Sequence, residues 1–324
     1  MLMLRNRWNV SPWITVVSYH RAARELVPTD YDDGVVDVTA EAFESHVSFL
    51  ARWCNAISLE QLRAFSHGGT LPQSPVLITF DDGYRDNHDV VLPILQRHRM
   101  PAAFFVTTSY LEDRRLFWWD RINLLVKTSR KEVLELDYPR SMSVPIAGAA
   151  SARAGAIRML LRLVKDHYAL DLERLLDGLA AATDVNVSPA EERRRADDLL
   201  MTWDHVRALR RAGMDVASHS STHRVLQTLP SDVLAEELAG SRETLEEVLG
   251  EPVRAISYPV GHAIRNMPHI RRAVRAAGYD LGFSNCTGVN WARSFDPLDA
   301  RRISADSAKH ESDMQSLIAL PLLG

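Results

Sequence analysis

Cysteine is nearly absent. Cys54 and Cys286 are the only two in 324 residues, too few for a disulfide framework or a cysteine-based zinc site. No apolar run approaches the roughly 18 residues that a membrane span needs. The N-terminus carries Arg5 and Arg7, but Trp8-Asn9-Val10-Ser11-Pro12 follows, without the apolar stretch or small-residue cleavage site of a secretory leader. A cytoplasmic protein is therefore expected. There is no surplus of positive charge either: 38 Lys and Arg face 42 Asp and Glu, a net charge of −4, which gives no support to nucleic-acid binding. What is present, 46% hydrophobic and 25% charged residues, is the composition of an ordinary globular protein.

Within that ordinary background one stretch stands out. Val76, Leu77, Ile78 and Phe80 form an apolar run of strand length, bounded by Pro72 and Pro75 before and Gly83 after. It ends in two adjacent carboxylates, Asp81 and Asp82. Neighbouring side chains of a strand point to opposite faces, so two adjacent Asp serve one site only if the strand has already ended. Gly83 permits the turn that ends it. A second stretch, His219-Ser220-Ser221-Thr222-His223, follows the short predicted strand 214–218. Two His at i, i+4 lie on one side of a helical turn, a spacing that suits one metal ion. Each stretch alone also reads as turn chemistry. Both at the C-terminal ends of strands read as a site.

The rest of the chain repeats a strand–helix rhythm. Trp13 to Tyr19 is a predicted strand that delivers His20 to its end. Thr39 reads as the N-cap of a helix with Phe43, Val47 and Leu50 on its buried stripe and His46 at the surface or boundary. Helix and strand alternate again at 90–106, and from Trp203 to Ala305. Such repeats predict parallel pairing through right-handed crossovers and a (β/α) barrel with its site at the strands' C-terminal ends. Between 113 and 200 the rhythm gives way to helical spacing (Ile157, Leu160, Leu161, Val164; Leu172, Leu175, Leu176, Leu179). This predicts an all-helical insertion over 113–200, with the barrel formed by 1–112 and 201–324. Phe117-Trp118-Trp119 opens the insertion, either as a clamp onto the barrel or as one wall of a sugar cleft.

Thr79-Phe80-Asp81-Asp82-Gly83 and His219-Ser220-Ser221-Thr222-His223, in that order, resemble the first two signature motifs of the polysaccharide deacetylases, carbohydrate esterase family 4. Arg254-Ala255-Ile256-Ser257-Tyr258-Pro259-Val260-Gly261 is similar to the third motif in its Tyr-Pro form. The resemblance implies an irregular (β/α)7 barrel and hydrolysis of an N-acetyl group on an amino sugar. It implies one divalent metal ion held by Asp82, His219 and His223, with Asp81 as the general base. Zn²⁺ suits such ligands, as do Co²⁺, Ni²⁺ and Fe²⁺. The third-motif resemblance further implies that Tyr258 and Val260 are oxyanion or substrate residues, with the Val260 N–H facing the reacting carbonyl as oxyanion donor, a contribution usually worth about 10²–10³ in rate.

Two departures matter. The Arg that commonly precedes the proline of the third motif is replaced by Ser257, and Arg254 lies too early on the strand. The Leu-x-His that supplies the general acid is missing: Leu298-Asp299-Ala300-Arg301-Arg302 occupies its region. The leaving amine still needs a proton. His20, at the end of the first strand, is the expected substitute, ahead of His262; His310 falls in a solvated stretch. Two other functions compete: a metal-light amidohydrolase acting on a cyclic amide, and a non-catalytic sugar-binding module. The acceptor sugar is open among a glycan precursor, a small glycoside and a nucleotide- or lipid-linked intermediate.

Overall fold

A computed structural model of the chain describes residues 12–148, 150–305 and 313–314. The N-terminal residues Arg5 to Ser11 and His310 lie outside them.

Seven parallel strands close into a barrel: β1 (Trp13–Tyr19), β2 (Pro75–Phe80), β3 (Ala103–Val106), β4 (Asp215–Ser218), β5 (Ala255–Ser257), β6 (Leu281–Thr287) and β7 (Ala300–Ser304). Around the ring they run β1, β2, β3, β4, β5, β6, β7 and back to β1. The register sets their ends at one rim, with Tyr19 beside Phe80, Val106 beside Ser218 and Ser257 beside Phe283. β2 is buried at all six positions, as expected for a strand covered on both faces. Each of its large apolar side chains contributes about 1.5–3 kcal/mol on burial. Where β6 passes the third-motif turn it carries Gly282, and any Cβ there would lie 1.9 Å from the Tyr258 hydroxyl. Only glycine lets the two segments pack.

The insertion is built around a second apolar cluster, to which Trp118, Trp119, Leu160, Leu175, Leu176 and Leu179 all belong. It is not purely helical. Val133–Leu136 and Met142–Pro145 pair as a short antiparallel hairpin, between the helices Trp118–Thr128 and Ala150–Asp166. Val133 and Glu135 are exposed while Leu134 and Leu136 are buried, an alternation of period two too short to stand out in sequence. Helices Leu172–Thr183 and Pro189–Leu199 complete it. His46 also departs from expectation. It is fully buried and its Nδ1 lies 3.2 Å from the Tyr19 hydroxyl, while the predicted Thr39 cap is present.

Candidate active site

β2 ends at Phe80, and the chain turns at once. The Asp81 N–H donates to Tyr19 O (2.9 Å), the Thr107 N–H to Asp82 O (3.1 Å) and the Met201 N–H to Gly83 O (3.0 Å), so the turn is fixed from three sides. Asp82 and Gly83 both take positive φ, 75° and 104°. This left-handed excursion brings two adjacent carboxylates into one space, as the Asp-Asp-Gly sequence required.

His219 and His223 meet Asp82 there. Each Nε2 lies 3.4 Å from Asp82 Oδ1, and no hydrogen bond satisfies that buried oxygen. The His segment is not a helical turn. It is a loop with positive φ at Ser220 (63°) and His223 (54°). The i, i+4 spacing thus converges on one point by a route other than the one helical geometry predicts. Glu237, on the helix Ser231–Leu249, makes the loop possible: its carboxylate accepts the Ser221 and Thr222 N–H groups (3.0 Å each) and the Thr222 hydroxyl. The Ser220 hydroxyl accepts the His223 N–H (3.1 Å).

These three residues fit a divalent ion. His219 Nδ1 donates to Ser257 O (2.8 Å), which leaves the Nε2 lone pair facing Asp82. Burial, with His219 beside it, pushes the His223 pKa down to about 3, so that ring stays neutral. Burial would raise the Asp82 carboxyl, but His219, His20 and His223 around it hold its pKa below the usual range. Two imidazoles and one carboxylate, whose buried Oδ1 has no hydrogen bond, form the donor set of a borderline cation.

Asp81 lies beside that group, its Oδ2 3.9 Å from His219 Nε2, but its hydrogen bonds go elsewhere. Arg302, on β7 and fully buried, donates Nη1 to Oδ1 (2.9 Å) and Nη2 to Oδ2 (2.7 Å). Its Nε donates to Ser284 O (3.2 Å), and Ser257 Oγ donates to Asp81 Oδ2 (3.1 Å). Burial works against the carboxylate, but the guanidinium overcomes it and holds the pKa below the ordinary carboxylate range. The region that lacks the expected His therefore supplies the missing Arg. Sequence spacing could not show it, because Arg302 reaches Asp81 only across the closed barrel.

His20 stands at the end of β1, where the sequence placed it. Asp37, in the short strand Val36–Thr39, accepts the His20 N–H and faces Nδ1 at 3.4–3.5 Å. Burial disfavours an imidazolium, yet the Asp37, Asp82 and Asp81 carboxylates outweigh it and push the pKa up to about 10. His262 is exposed on the far side of the third-motif turn. In that turn Val260 takes φ 62°, unusual for a β-branched residue, and Tyr258 is buried with its hydroxyl donating to Leu298 O (2.7 Å). The Tyr258 hydroxyl thus anchors the turn and is not free for substrate.

Trp118 and Trp119 are buried, 1% and 4% exposed, and offer no open ring face to a sugar. Trp118 Nε1 donates to His223 O (3.3 Å), the Trp119 ring lies 4.4 Å from the His223 ring, and Trp119 Nε1 donates to the Tyr84 hydroxyl (2.7 Å). Tyr84 in turn donates to the buried Asp120 (2.9 Å). The aromatic run is a clamp, and it grips the site itself.

The model of the family described as polysaccharide deacetylase matches residues 68–135 and 177–282, more than half the chain and both motif regions. The chain belongs to the polysaccharide deacetylase family. Among curated proteins it is similar to the poly-beta-1,6-N-acetyl-D-glucosamine N-deacetylases of Escherichia coli K12 (29% identical over 107 residues, 31% of this chain and 15% of that one) and Staphylococcus epidermidis (27% over 99 residues, 30% and 33%). The matched stretches thus span a third or less of those relatives. In fold it is similar to the Streptococcus pyogenes deacetylase PplD, solved in complex with acetate (TM-score 0.60, 16% identity, 94% of this chain and 98% of that one). It is also similar to IcaB from Ammonifex degensii (TM-score 0.57, 15% identity, 96% and 97%). The irregular (β/α)7 barrel is shared with both. Among the described residues, no helix is long and apolar enough to cross a membrane.

Proposed function

We propose that the chain is a metal-dependent carbohydrate N-deacetylase that hydrolyses the N-acetyl group of an amino sugar. The observation that carries this reading is the division of labour between adjacent carboxylates: Asp82 faces two imidazoles, while Asp81 is held ionised by Arg302 and Ser257. Asp82, His219 and His223 would hold the ion, most suitably Zn²⁺. When bound, it supplies Lewis acidity toward the acetyl carbonyl and a lowered water pKa. Asp81 takes the proton of the attacking water. The Val260 N–H lies in the turn expected to receive the oxyanion, and Tyr258 secures that turn. His20, kept protonated by Asp37, gives a proton to the departing amine nitrogen. A retired sugar-binding module would have no need of the buried Asp81–Arg302 pair. A metal-light amidohydrolase would have no need of the complete Asp-His-His group.

The curated relatives are named for poly-beta-1,6-N-acetyl-D-glucosamine, so an N-acetylglucosamine residue is the proposed reacting unit. Residues 113–200 act as a cap beside the cleft, restricting access to small or chain-terminal sugars; the grip of Trp118 and Trp119 on His223 supports that position. Cell fractionation decides where in the cell the chain acts. The deciding experiment measures metal content and acetate release together. Asp81→Asn should keep the ion and lose nearly all turnover, whereas Asp82→Asn should weaken the ion itself. Equal metal affinity in the two variants, or acetate release indifferent to chelation, would overturn the assignment.

A further inference from the structure

Away from the Asp82 group, a second set of ligand-type side chains lies in the outer helical layer. The helix Trp203–Arg211 opens on a capping box with an unusual member. Thr202 Oγ1 accepts the His205 N–H (3.3 Å), and His205 Nδ1 accepts the Thr202 N–H (3.2 Å). Glu or Gln normally fills that position, as Gln61 does opposite Ser58 in the helix Leu59–Ser66. The His205 ring stacks on His88, with centroids 4.3 Å apart and planes 18° apart. His88 belongs to the π-helical turn Asn87–Val91, a widening of the helix that often accompanies a site. Its Nδ1 lies 2.8 Å from Asp89 Oδ1.

We propose that His88, Asp89 and His205 form a second, weaker divalent-cation site that takes a borderline ion such as Zn²⁺ or Ni²⁺. One ligand atom from each residue lies within 4.8 Å of the others. Two imidazole nitrogens and one carboxylate select Zn²⁺ or Ni²⁺ over Mg²⁺ and Ca²⁺, which require oxygen donors. Without an ion the His88 Nδ1–H donates to Asp89 Oδ1 (2.8 Å); on binding that hydrogen bond breaks and the Asp89 oxygen turns to the ion, a cost of occupying the site.

Two further features make this site weaker than the buried one. His205 rests with its proton on Nε2, since Nδ1 accepts the cap hydrogen bond. Binding through Nε2 moves that proton, by way of solvent, to Nδ1 and releases the Thr202 N–H. Arg85 also donates to Asp89 Oδ2 (2.9 Å) and brings a positive charge beside the ion. The site is half-exposed, with His88 and His205 partly buried and Asp89 exposed, and an ion must part the stacked rings to bring their nitrogens to a common centre.

The test is equilibrium dialysis of the full chain, stripped of metal, against Zn²⁺. The parent protein should show a tight class and a weaker class of bound ion. His205→Gln keeps the cap acceptor and removes the ligand nitrogen, so its metal-free melting temperature should hold while the weaker class loses at least about tenfold in affinity. His88→Ala should lose the same class, and His223→Ala only the tight one. A parent protein lacking the class that His205→Gln removes, or a weaker class that survives both variants, would overturn the proposal. Because His223→Ala reports on the other site alone, failure of one assignment is distinguishable from failure of the other.

Discussion

Replacing Arg302 by Met is the sharpest perturbation the structure offers. Met fills a similar volume but removes both guanidinium donors from Asp81, leaving Ser257 Oγ at 3.1 Å as its remaining hydroxyl partner. Both members of the ion pair are almost wholly shielded from water. Removing one partner of such a pair costs about 3–5 kcal/mol, because the other charge stays buried and unpaired. In a chain this long that lowers the melting temperature on the order of 5–10 °C. The direction with pH also follows. The depressed folded-state pKa of Asp81 stabilises the protein above the unfolded value near pH ~4 and fades as pH falls through the folded value. The loss in Arg302→Met should therefore be largest near neutrality and shrink in acid. Burial, no longer countered by the guanidinium, raises the Asp81 pKa, so the acid limb of kcat/KM should move to higher pH. Arg302→Lys should recover the charge without the two-point grip and fall between. A variant with unchanged melting temperature and unchanged acid limb would refute the account of Asp81 as a base held by Arg302.

His20→Ala should lower kcat and kcat/KM together and abolish the alkaline limb, as for a proton donated only in the transition state; Asp37→Asn should move that limb down from about pH 10. Since the His20 pKa is raised on folding, the pair's contribution to stability is complete below pH ~6.5 and disappears as pH rises through about 10, which melting curves across that range would show. Trp119→Ala opens a cavity against His223 and Tyr84, costing about 3–5 kcal/mol, and should weaken the metal measured by chelator competition. Glu237→Gln, which loses the charge that collects the loop N–H groups, should weaken the metal while leaving the barrel's far-ultraviolet dichroism unchanged.

Much of the site was legible because strand ends carry it. Asp81, Asp82 and His20 lie at the ends of apolar runs that stop at one rim, where the sequence puts them, and the His pair comes beside Asp82 as the two stretches together suggest. The two rings converge by a route other than the one the spacing implies, since backbone reversals at Ser220 and His223 replace the helix. The residues that were missed act at long range. Asp37 reaches His20 from a short strand within what reads as a polar loop, and Glu237 reaches the His loop from inside an amphipathic stripe where a carboxylate reads as solvated. Arg302 sits in the stretch that the sequence marks only by the His it lacks, and it is among the largest fully buried side chains.

That last feature bears on when the molecule can act. Asp81 and the guanidinium that keeps it charged are 221 positions apart. Asp82, His219 and His223 all precede β7 in the chain, so on the proposed reading every metal ligand is made before the base has its partner. The Asp81–Arg302 pair exists only once the last strand stands between β1 and β6 and the ring is shut.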